Sequence, residues 1–298
     1  MDPVTHALSG MLIYRLGFRR KASLLVLLLS AVAPDFDYVA RFWGPGALLH
    51  YHRGITHGIL ALAVFPLVMG FIFRNKGGFF YYYFLSLLAY GSHLLLDLTN
   101  QYGTQILSPL DWNRYALDLT FIIDPYISLG LLLAVILGTV NKRRSVLISV
   151  LTILLLAGYL GGRSYLQGQA RNFLRTKMDA NTYRVYPLPN GFLRWWFVTR
   201  SGDETSTGTV DLFMRKVFLY ERYRMNGLDP AIIESRGNQL VKTFLAFSRN
   251  PYAEVKRERG KTIVKWSELS YSFLPGERFT AEVVLDDKGK VVKSGFRF

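Results

Sequence analysis

The sequence predicts an all-α polytopic membrane domain followed by a smaller, soluble α+β domain. Charge is distributed very unevenly, because residues 1–166 contain 13 Lys and Arg, 7 Asp and no Glu, whereas residues 167–298 contain 23 Lys and Arg and 14 Asp and Glu. Apolar segments dominate the first part, and aromatic and β-branched runs of strand length recur in the second. We therefore divide the chain into a membrane-embedded domain, residues 1–166, and a soluble domain, residues 167–298.

The membrane domain is predicted to contain an N-terminal helix and four or five spans. The apolar segments cover residues 24–33, 58–73, 79–98, 126–140 and 146–160. Several are short, because a helix needs about 20 apolar residues to cross a bilayer. Residues 4–18 precede them with a helical pattern and are predicted to insert only halfway.

Basic clusters set the predicted orientation. They lie at residues 15–21, at Arg74 and Lys76, and at residues 142–144, and placing all three in the cytoplasm satisfies the positive-inside rule. The soluble domain is then extracytoplasmic, in a protein of the inner (plasma) membrane. All five histidines and several aspartates fall at the outer ends of the segments: His6, Asp35, Asp37, His50, His52, His57, His93, Asp97, Asp118 and Asp124.

The soluble domain has helix and strand signals in alternation. Asp229 and Pro230 are a good helix start, and that helix is predicted to run to about residue 247. Residues 287–289 form a predicted hairpin turn. Aromatic and β-branched content predicts strands at residues 192–200, 207–215, 262–266, 279–285 and 290–298.

His93 and Asp97 stand four residues apart in an apolar segment. This spacing places imidazole and carboxylate on one helical face, one turn apart, where both can reach one cation. The alternative is a hydrogen bond that only satisfies two buried polar groups. Ionisable residues in membrane helices are costly and usually functional, which favours metal binding.

The histidine-rich stretch at residues 50–58 leads into the next span. His57 is expected at the helix start, where a metal and its bound anion could meet the positive end of the helix dipole. Arg53 could bind an anionic substrate group through its planar fork. The alternative is an interfacial loop with solvated histidines, an interpretation that suits His50 better than His57.

Asp35 and Asp37 stand at the outer end of a predicted helix. Their two-residue spacing makes them diverge, so that one would serve the metal and the other a neighbouring role. His6 is a weaker candidate, because an isolated histidine more often packs than binds. Asp124, which precedes Pro125, is predicted to cap the next span.

The chain has no cysteine, so a metal would be held by imidazole and carboxylate groups. This donor set suits Zn²⁺ best and Mn²⁺ second, with one ion or with two ions bridged by a carboxylate. Such a site lowers the pKa of bound water toward about 7, which prepares it to attack a phosphorus or carbonyl centre.

The motifs resemble those of the YdjM-like inner-membrane metal-dependent hydrolases, a family also described as LexA-binding and inner-membrane-associated. The similar segments are Thr5-His6, residues 33–37, the HRGITH block at residues 52–57, and residues 91–97. Together they cover residues 1–130. The C-terminal half looks like the extension of longer members.

The order of these residues is also similar to that in the zinc-dependent phospholipase C and single-strand nuclease superfamily, whose zinc clusters cleave phosphodiesters. This resemblance implies that His6, Asp35, His57, His93 and Asp97 are metal ligands, with Asp97 as a bridge. Those enzymes have further histidines for a third ion, whereas this chain has none after His93. A mono- or dinuclear site is therefore expected.

The sequence thus predicts a membrane-bound, metal-dependent hydrolase of phosphoester bonds in a lipid or lipid-linked substrate. Asp37 would act as a general base or orient a ligand, and Arg53 would bind the phosphate. The first alternative is a non-catalytic protein with a structural metal site and a partner- or lipid-binding outer domain, and the second is a transporter that uses His and Asp as an ion path. The net charge of +15 favours membrane lipid with anionic headgroups as the partner. Nucleic acid is a weak alternative, because the charge of the second part is not concentrated in one stripe.

Overall fold

A computed structural model describes residues 1–258 and 260–298, which form two compact units. The helical unit comprises Met1–Tyr38, His52–Leu166 and Pro187–Phe192. The sheet unit comprises Val39–Tyr51, Gln167–Tyr186 and Leu193–Phe298. The fold confirms the predicted helical membrane part followed by an α+β part.

The helices of the first part follow one another along the chain, and the longest connection between them, residues 100–124, joins α5 to α6. They are α1 Pro3–Arg15, α2 Ser23–Val32, α3 Pro45–Tyr51, α4 Ile59–Gly77, α5 Phe79–Thr99, α6 Pro125–Val140 and α7 Ser145–Lys177. A 3₁₀ segment, Ala33–Trp43, continues α2, and a 3₁₀ turn, Ile55–His57, precedes α4.

Four helical stretches in the described residues are long and apolar enough to cross a membrane. They are Ser23–Trp43, Ile59–Gly77, Phe79–Thr99 and Lys142–Lys177, and α6 is apolar but shorter. Asp124 caps α6 as predicted, since its carboxylate accepts the backbone N–H groups of Tyr126 and Ile127 at 3.0 and 3.1 Å.

The three basic clusters meet at one end of the helical unit. Arg20 donates to the Gly77 carbonyl at 2.6 Å, and Arg15 donates to the Gly138 carbonyl at 3.0 Å. Helix α5 begins at this end and carries His93 and Asp97 near its other terminus. Basic residues and predicted metal ligands therefore lie at opposite ends of the helices.

Small and hydroxyl residues allow α2 to pack closely on its neighbours. A Cβ atom at Gly10 of α1 would lie 3.0 Å from the Leu27 carbonyl oxygen, so a larger residue would push α1 away from α2. Ser30 of α2 and Ser86 of α5 share a buried hydrogen bond of 2.7 Å. This packing fixes the direction in which the 3₁₀ segment leaves the end of α2.

The sheet unit contains two four-stranded antiparallel sheets in its described residues. The first has the order β1-β2-β3-β4, with strands Thr182–Pro187, Arg194–Ser201, Glu204–Asp211 and Lys216–Arg224. The second has the order β5-β6-β7-β8, with strands Pro251–Glu258, Lys261–Glu268, Thr280–Asp286 and Val291–Arg297. Helices α8 Pro230–Ser235 and α9 Gln239–Phe247 connect the two sheets along the chain.

Two element predictions in this unit were wrong in their bounds. The helix expected from Asp229 to residue 247 is divided into α8 and α9, because the Asn238 side chain accepts the Leu240 N–H and starts a new helix. The strand expected over residues 207–215 ends at Asp211, whose carboxylate accepts the N–H groups of Phe213 and Met214 and closes a turn.

Candidate metal centre

Three elements bring the predicted ligands together at one end of the helical unit. The 3₁₀ segment after α2 supplies Asp35, the turn before α4 supplies His57, and the last turns of α5 supply His93 and Asp97. All four are buried, and one ligand atom from each lies within 4.8 Å of the others. The four residues, Asp35, His57, His93 and Asp97, are called the four-residue centre below.

The distances in this centre suit donors that surround a single ion. His57 Nε2 lies 3.1 Å from His93 Nε2 and 3.3 Å from Asp97 Oδ2, and His93 Nε2 lies 3.6 Å from the same oxygen. Asp35 Oδ1 lies 3.7 Å from both Nε2 atoms. Tetrahedral donors at zinc distances of about 2.0–2.1 Å would be about 3.3 Å apart.

Hydrogen bonds on the far sides of both imidazoles fix their tautomers. His93 Nδ1 lies 2.7 Å from the Ala31 carbonyl, which can only accept, so this nitrogen carries the proton. Because Thr56 donates its hydroxyl hydrogen to Asp37, its oxygen must accept from His57 Nδ1, which lies 3.0 Å from that oxygen and 3.2 Å from Asp37 Oδ2, so Nδ1 carries the proton. In neutral rings both Nε2 lone pairs then face each other at 3.1 Å, an arrangement that a cation stabilises.

The Asp35 carboxylate is a second indication that this centre binds a cation. Both of its carboxylate oxygens are buried without a hydrogen-bond partner in the described residues, and the residue is 9% exposed. A buried carboxylate is costly unless a cation or donors compensate it. The chemistry of the four donors, the Asp35 carboxylate among them, therefore fits a divalent metal ion.

Asp37 lies behind His57 and organises the loop that carries it. Its carboxylate accepts the Arg53 backbone N–H at 2.9 Å and the Thr56 hydroxyl at 2.8 Å, in addition to the proton on His57 Nδ1. A carboxylate that orients a ligand histidine in this way is common around protein metal sites. These contacts favour an orienting role for Asp37.

His52 was not among the predicted site residues, although it lies inside the HRGITH block. Its Nδ1 donates to Asp37 at 2.8 Å, and burial lowers the pKa of His52 to about 4 against the raising effect of that hydrogen bond. The ring is therefore neutral at pH 7, with Nε2 available as an acceptor. Asp35, Asp37 and His52 form a second group whose ligand atoms lie within 4.8 Å of one another.

Arg53 is buried beside the four-residue centre. Its Nε lies 3.0 Å from Asp97 Oδ2, and its Nη1 donates to Asn100 Oδ1 at 2.7 Å. The guanidinium lies 4.8 Å from the centre of the Tyr102 ring, and the backbone is in the left-handed region with φ of 58°. The Arg53 guanidinium thus contacts Asp97, a predicted metal ligand.

His6 lies next to the centre but outside the four-residue group. Its ring stacks on His93 with 3.5 Å between centroids, and its Nε2 is 3.3 Å from Asp97 Oδ1. The Met1 amino group also contacts Asp97 Oδ1. His50, in contrast, is exposed on α3 and belongs to the other unit.

The connection between α5 and α6 holds the HRGITH block in place. The Gln105 N–H donates to the Arg53 carbonyl at 3.0 Å, and Arg114 donates to the His52 carbonyl at 3.1 Å. A Cβ atom at Gly58 would lie 2.1 Å from Ser108 Oγ, so only glycine fits there. This connection therefore supports the loop that presents His57.

The residues that form this centre lie within a stretch, residues 1–169, that matches the family model of the YdjM inner membrane protein. The chain belongs to the YdjM inner membrane protein family. The resemblance seen in the motifs is thereby confirmed, and the protein is a membrane protein. Residues 230–297 match the model of the YfhP C-terminal alpha/beta plait domain, in agreement with the expected extension of longer members.

One relative of this YdjM family member is the uncharacterized protein YfhP of Bacillus subtilis (strain 168). The two are 29% identical over 143 residues, which are 47% of this chain and 43% of the relative. The match thus spans less than half of the relative's length. No solved structure matches the chain.

Proposed function

We propose that this protein is a membrane-bound, metal-dependent hydrolase of phosphoester bonds in a lipid or lipid-linked substrate. The observation that carries the proposal is the four-residue centre, in which two imidazole lone pairs and two carboxylates converge in a buried site. Neither the family description nor the name of the relative states an activity. The proposal therefore depends on the chemistry of the residues themselves.

A divalent ion, Zn²⁺ in preference to Mn²⁺, would be held by Asp35, His57, His93 and Asp97. When bound, such an ion polarises a phosphoryl oxygen and lowers the pKa of coordinated water toward about 7. Asp37 keeps the proton on His57 Nδ1 and so holds Nε2 as a ligand. Arg53 places a guanidinium next to the centre, where it would bind a phosphate oxygen.

A second ion would be held by Asp35, Asp37 and His52. Asp35 is common to both groups, so the bridging carboxylate of a dinuclear site would be Asp35 and not Asp97, the residue suggested by the resemblance to the phospholipase C superfamily. Asp37 already accepts several hydrogen bonds, which weakens it as a ligand. One tightly held ion and one weaker ion are therefore proposed.

The active site and the sheet unit are proposed to lie on the extracytoplasmic side of a multi-pass protein. The basic clusters converge at the end of the helical unit away from the centre, as the positive-inside rule requires for this orientation. A reporter fused after Leu160 tests this, since a cytoplasmic signal would contradict it.

Metal content and activity test the proposed function together. We expect about one to two equivalents of Zn or Mn in purified protein, and loss of metal and of phosphodiesterase activity in His93→Ala. His50→Ala is the matched control, because His50 is exposed in the other unit, and it should keep both. Unchanged metal content in His93→Ala would contradict the proposal.

The alternative, a structural metal site in a non-catalytic protein, is favoured by one observation. Four protein donors would saturate a tetrahedral ion, whereas catalytic zinc sites keep one position open. Fully metal-loaded protein that cleaves no phosphodiester, phosphomonoester or lipid would support this alternative. In that case Asp35, His57, His93 and Asp97 would still be the metal ligands.

A further inference from the structure

The turn that joins β3 to β4 exposes two large apolar side chains. Phe213 is 81% exposed and Met214 is 54% exposed. The two residues that follow, Arg215 and Lys216, are basic and also exposed. We propose that residues 212–216, called the β3–β4 tip below, dock on the surface of an anionic lipid bilayer. This contact belongs to the sheet unit and does not require the metal centre.

The apolar residues of the tip are not needed to form a turn. Turns usually contain glycine, asparagine, aspartate or serine, whose conformational preferences and side-chain hydrogen bonds suit a tight bend. The connection between β7 and β8 fits this rule, since residues 286–290 are Asp-Asp-Lys-Gly-Lys. The β3–β4 tip is Leu-Phe-Met-Arg-Lys, although exposing large apolar side chains to water is unfavourable. Contiguous exposed apolar residues with a polar rim mark surfaces that bind a protein or a membrane.

Asp211 holds the tip in one conformation. Its carboxylate accepts the backbone N–H groups of Phe213 and Met214 at 3.0 and 2.9 Å, and the Arg194 guanidinium donates to it at 3.2 Å. Asp211 itself is buried, and residues 212–216 contain no acidic residue. The tip is therefore preformed, which lowers the entropic cost of docking, and its own side chains carry only positive charge.

Apolar side chains next to cations match an anionic membrane surface. The apolar groups enter the boundary between headgroups and acyl chains, while Lys and Arg stay among the phosphates and attract anionic lipid. Phe218 and Leu219 of β4 extend the exposed apolar surface. The whole of residues 167–298 is basic, with 23 Lys and Arg against 14 Asp and Glu, so the wider charge also favours an anionic partner.

The sheet unit is tethered to a candidate membrane span. Helix α7 lies in the stretch Lys142–Lys177, which is long and apolar enough to cross a bilayer, and β1 begins at Thr182. Residues 178–181 alone connect these two elements. Such a tether makes docking an intramolecular event, so a contact that is weak by itself is well populated.

A second copy of the chain fits this surface less well. Strand β4 is at the edge of its sheet, and antiparallel pairing of its full length with β4 of another copy would place Lys216 opposite Arg224. Like charges directly opposite each other on neighbouring strands are destabilising. The charge of the strand therefore favours an anionic surface over self-association.

Site-specific fluorescence of the full chain in lipid nanodiscs tests the contact. The chain has no cysteine, so Met214→Cys offers a single attachment point for the environment-sensitive fluorophore NBD. The nanodiscs contain either phosphatidylglycerol or phosphatidylcholine in both leaflets, so the result does not depend on the sidedness of the protein. We expect blue-shifted emission that doxyl-labelled lipid quenches, and a larger effect in phosphatidylglycerol than in phosphatidylcholine.

Control variants separate docking of the tip from other effects. Asp287→Cys carries the same label on the exposed β7–β8 connection and should show water-like emission in both lipids. In the Met214→Cys protein, Arg215→Gln and Lys216→Gln should each lower the ratio of docked to undocked tip by about fivefold. Phe213→Ser should lower it as well. EDTA should leave the emission unchanged, so failure of the tip and failure of the metal centre give separate results.

Three results would overturn the proposal. The first is emission from the Met214 position that equals that from the Asp287 position, without quenching by doxyl-labelled lipid. The second is quenching that Arg215→Gln and Lys216→Gln leave unchanged. The third is disulfide-linked dimers of unlabelled Met214→Cys in place of lipid quenching, which would assign the surface to a second copy of the chain.

Discussion

Replacing Asp35 with asparagine should change stability in opposite directions with and without metal. In the metal-free protein the Asp35 carboxylate is buried, and the Nε2 atoms of His57 and His93 lie 3.7 Å from its Oδ1, beyond hydrogen-bond distance. Because neither oxygen receives a hydrogen bond, replacing this buried charge with a neutral amide should stabilise the metal-free protein by about 1–3 kcal/mol. Asparagine is nearly the same size, so the packing stays intact.

With metal the order should reverse. An ion at 1,000 times its dissociation constant stabilises the folded state by about 4 kcal/mol, and Asp35→Asn should lose most of this because a ligand charge is gone. The assay is thermal unfolding of both proteins in detergent, with EDTA and with added Zn²⁺. A substitution that destabilises the EDTA-treated protein and leaves the zinc-dependent stabilisation unchanged would refute the reasoning.

Three further predictions concern residues around the centre and in the sheet unit. Gly58→Ala should destabilise the fold by about 1–3 kcal/mol in chemical unfolding, because its Cβ would collide with Ser108; an unchanged midpoint would contradict the close approach. Asp37→Asn should weaken metal affinity by about 10- to 100-fold in chelator competition, because it no longer accepts the His57 proton as a charged group; unchanged affinity would show that Asp37 does not orient His57. Burial raises the pKa of Glu268, but hydrogen bonds from Asn250 and Ser248 outweigh it and hold the pKa below its ordinary value. The stability that Glu268 contributes is therefore present above its unfolded pKa and is lost as the pH falls through the folded pKa; Glu268→Gln should reduce the acid dependence of unfolding, and an identical pH profile would contradict this.

Much of the candidate site follows from local periodicity. The spacing of His93 and Asp97 places both on one face of α5, and the structure has them there with 3.6 Å between Nε2 and Oδ2. The orienting role of Asp37 could not be derived in this way. It depends on how the 3₁₀ segment meets the turn at His57, which is a tertiary contact.

Strands with weak apolar patterns were the hardest part of the fold to predict. Strand β4, Lys216–Arg224, is mostly exposed at the edge of its sheet, so it needs no alternation of apolar and polar residues. Strand β5 begins at Pro251 and is rich in charge. Each is held by antiparallel pairing with the strand next to it in the sequence, β4 with β3 and β5 with β6.

The sequence contains a signal for the break between α8 and α9, and the helix prediction overlooked it. Gly237 and Asn238 stand in the middle of the expected helix, and asparagine is a favoured N-cap.

We propose that Asp35, His57, His93 and Asp97 hold one divalent ion. X-ray absorption spectroscopy at the zinc edge of the purified protein tests it most directly. We predict two imidazole nitrogens and carboxylate oxygens at about 2.0–2.1 Å, with one imidazole lost in His93→Ala. A spectrum without imidazole scattering, or one that His93→Ala leaves unchanged, would contradict the claim.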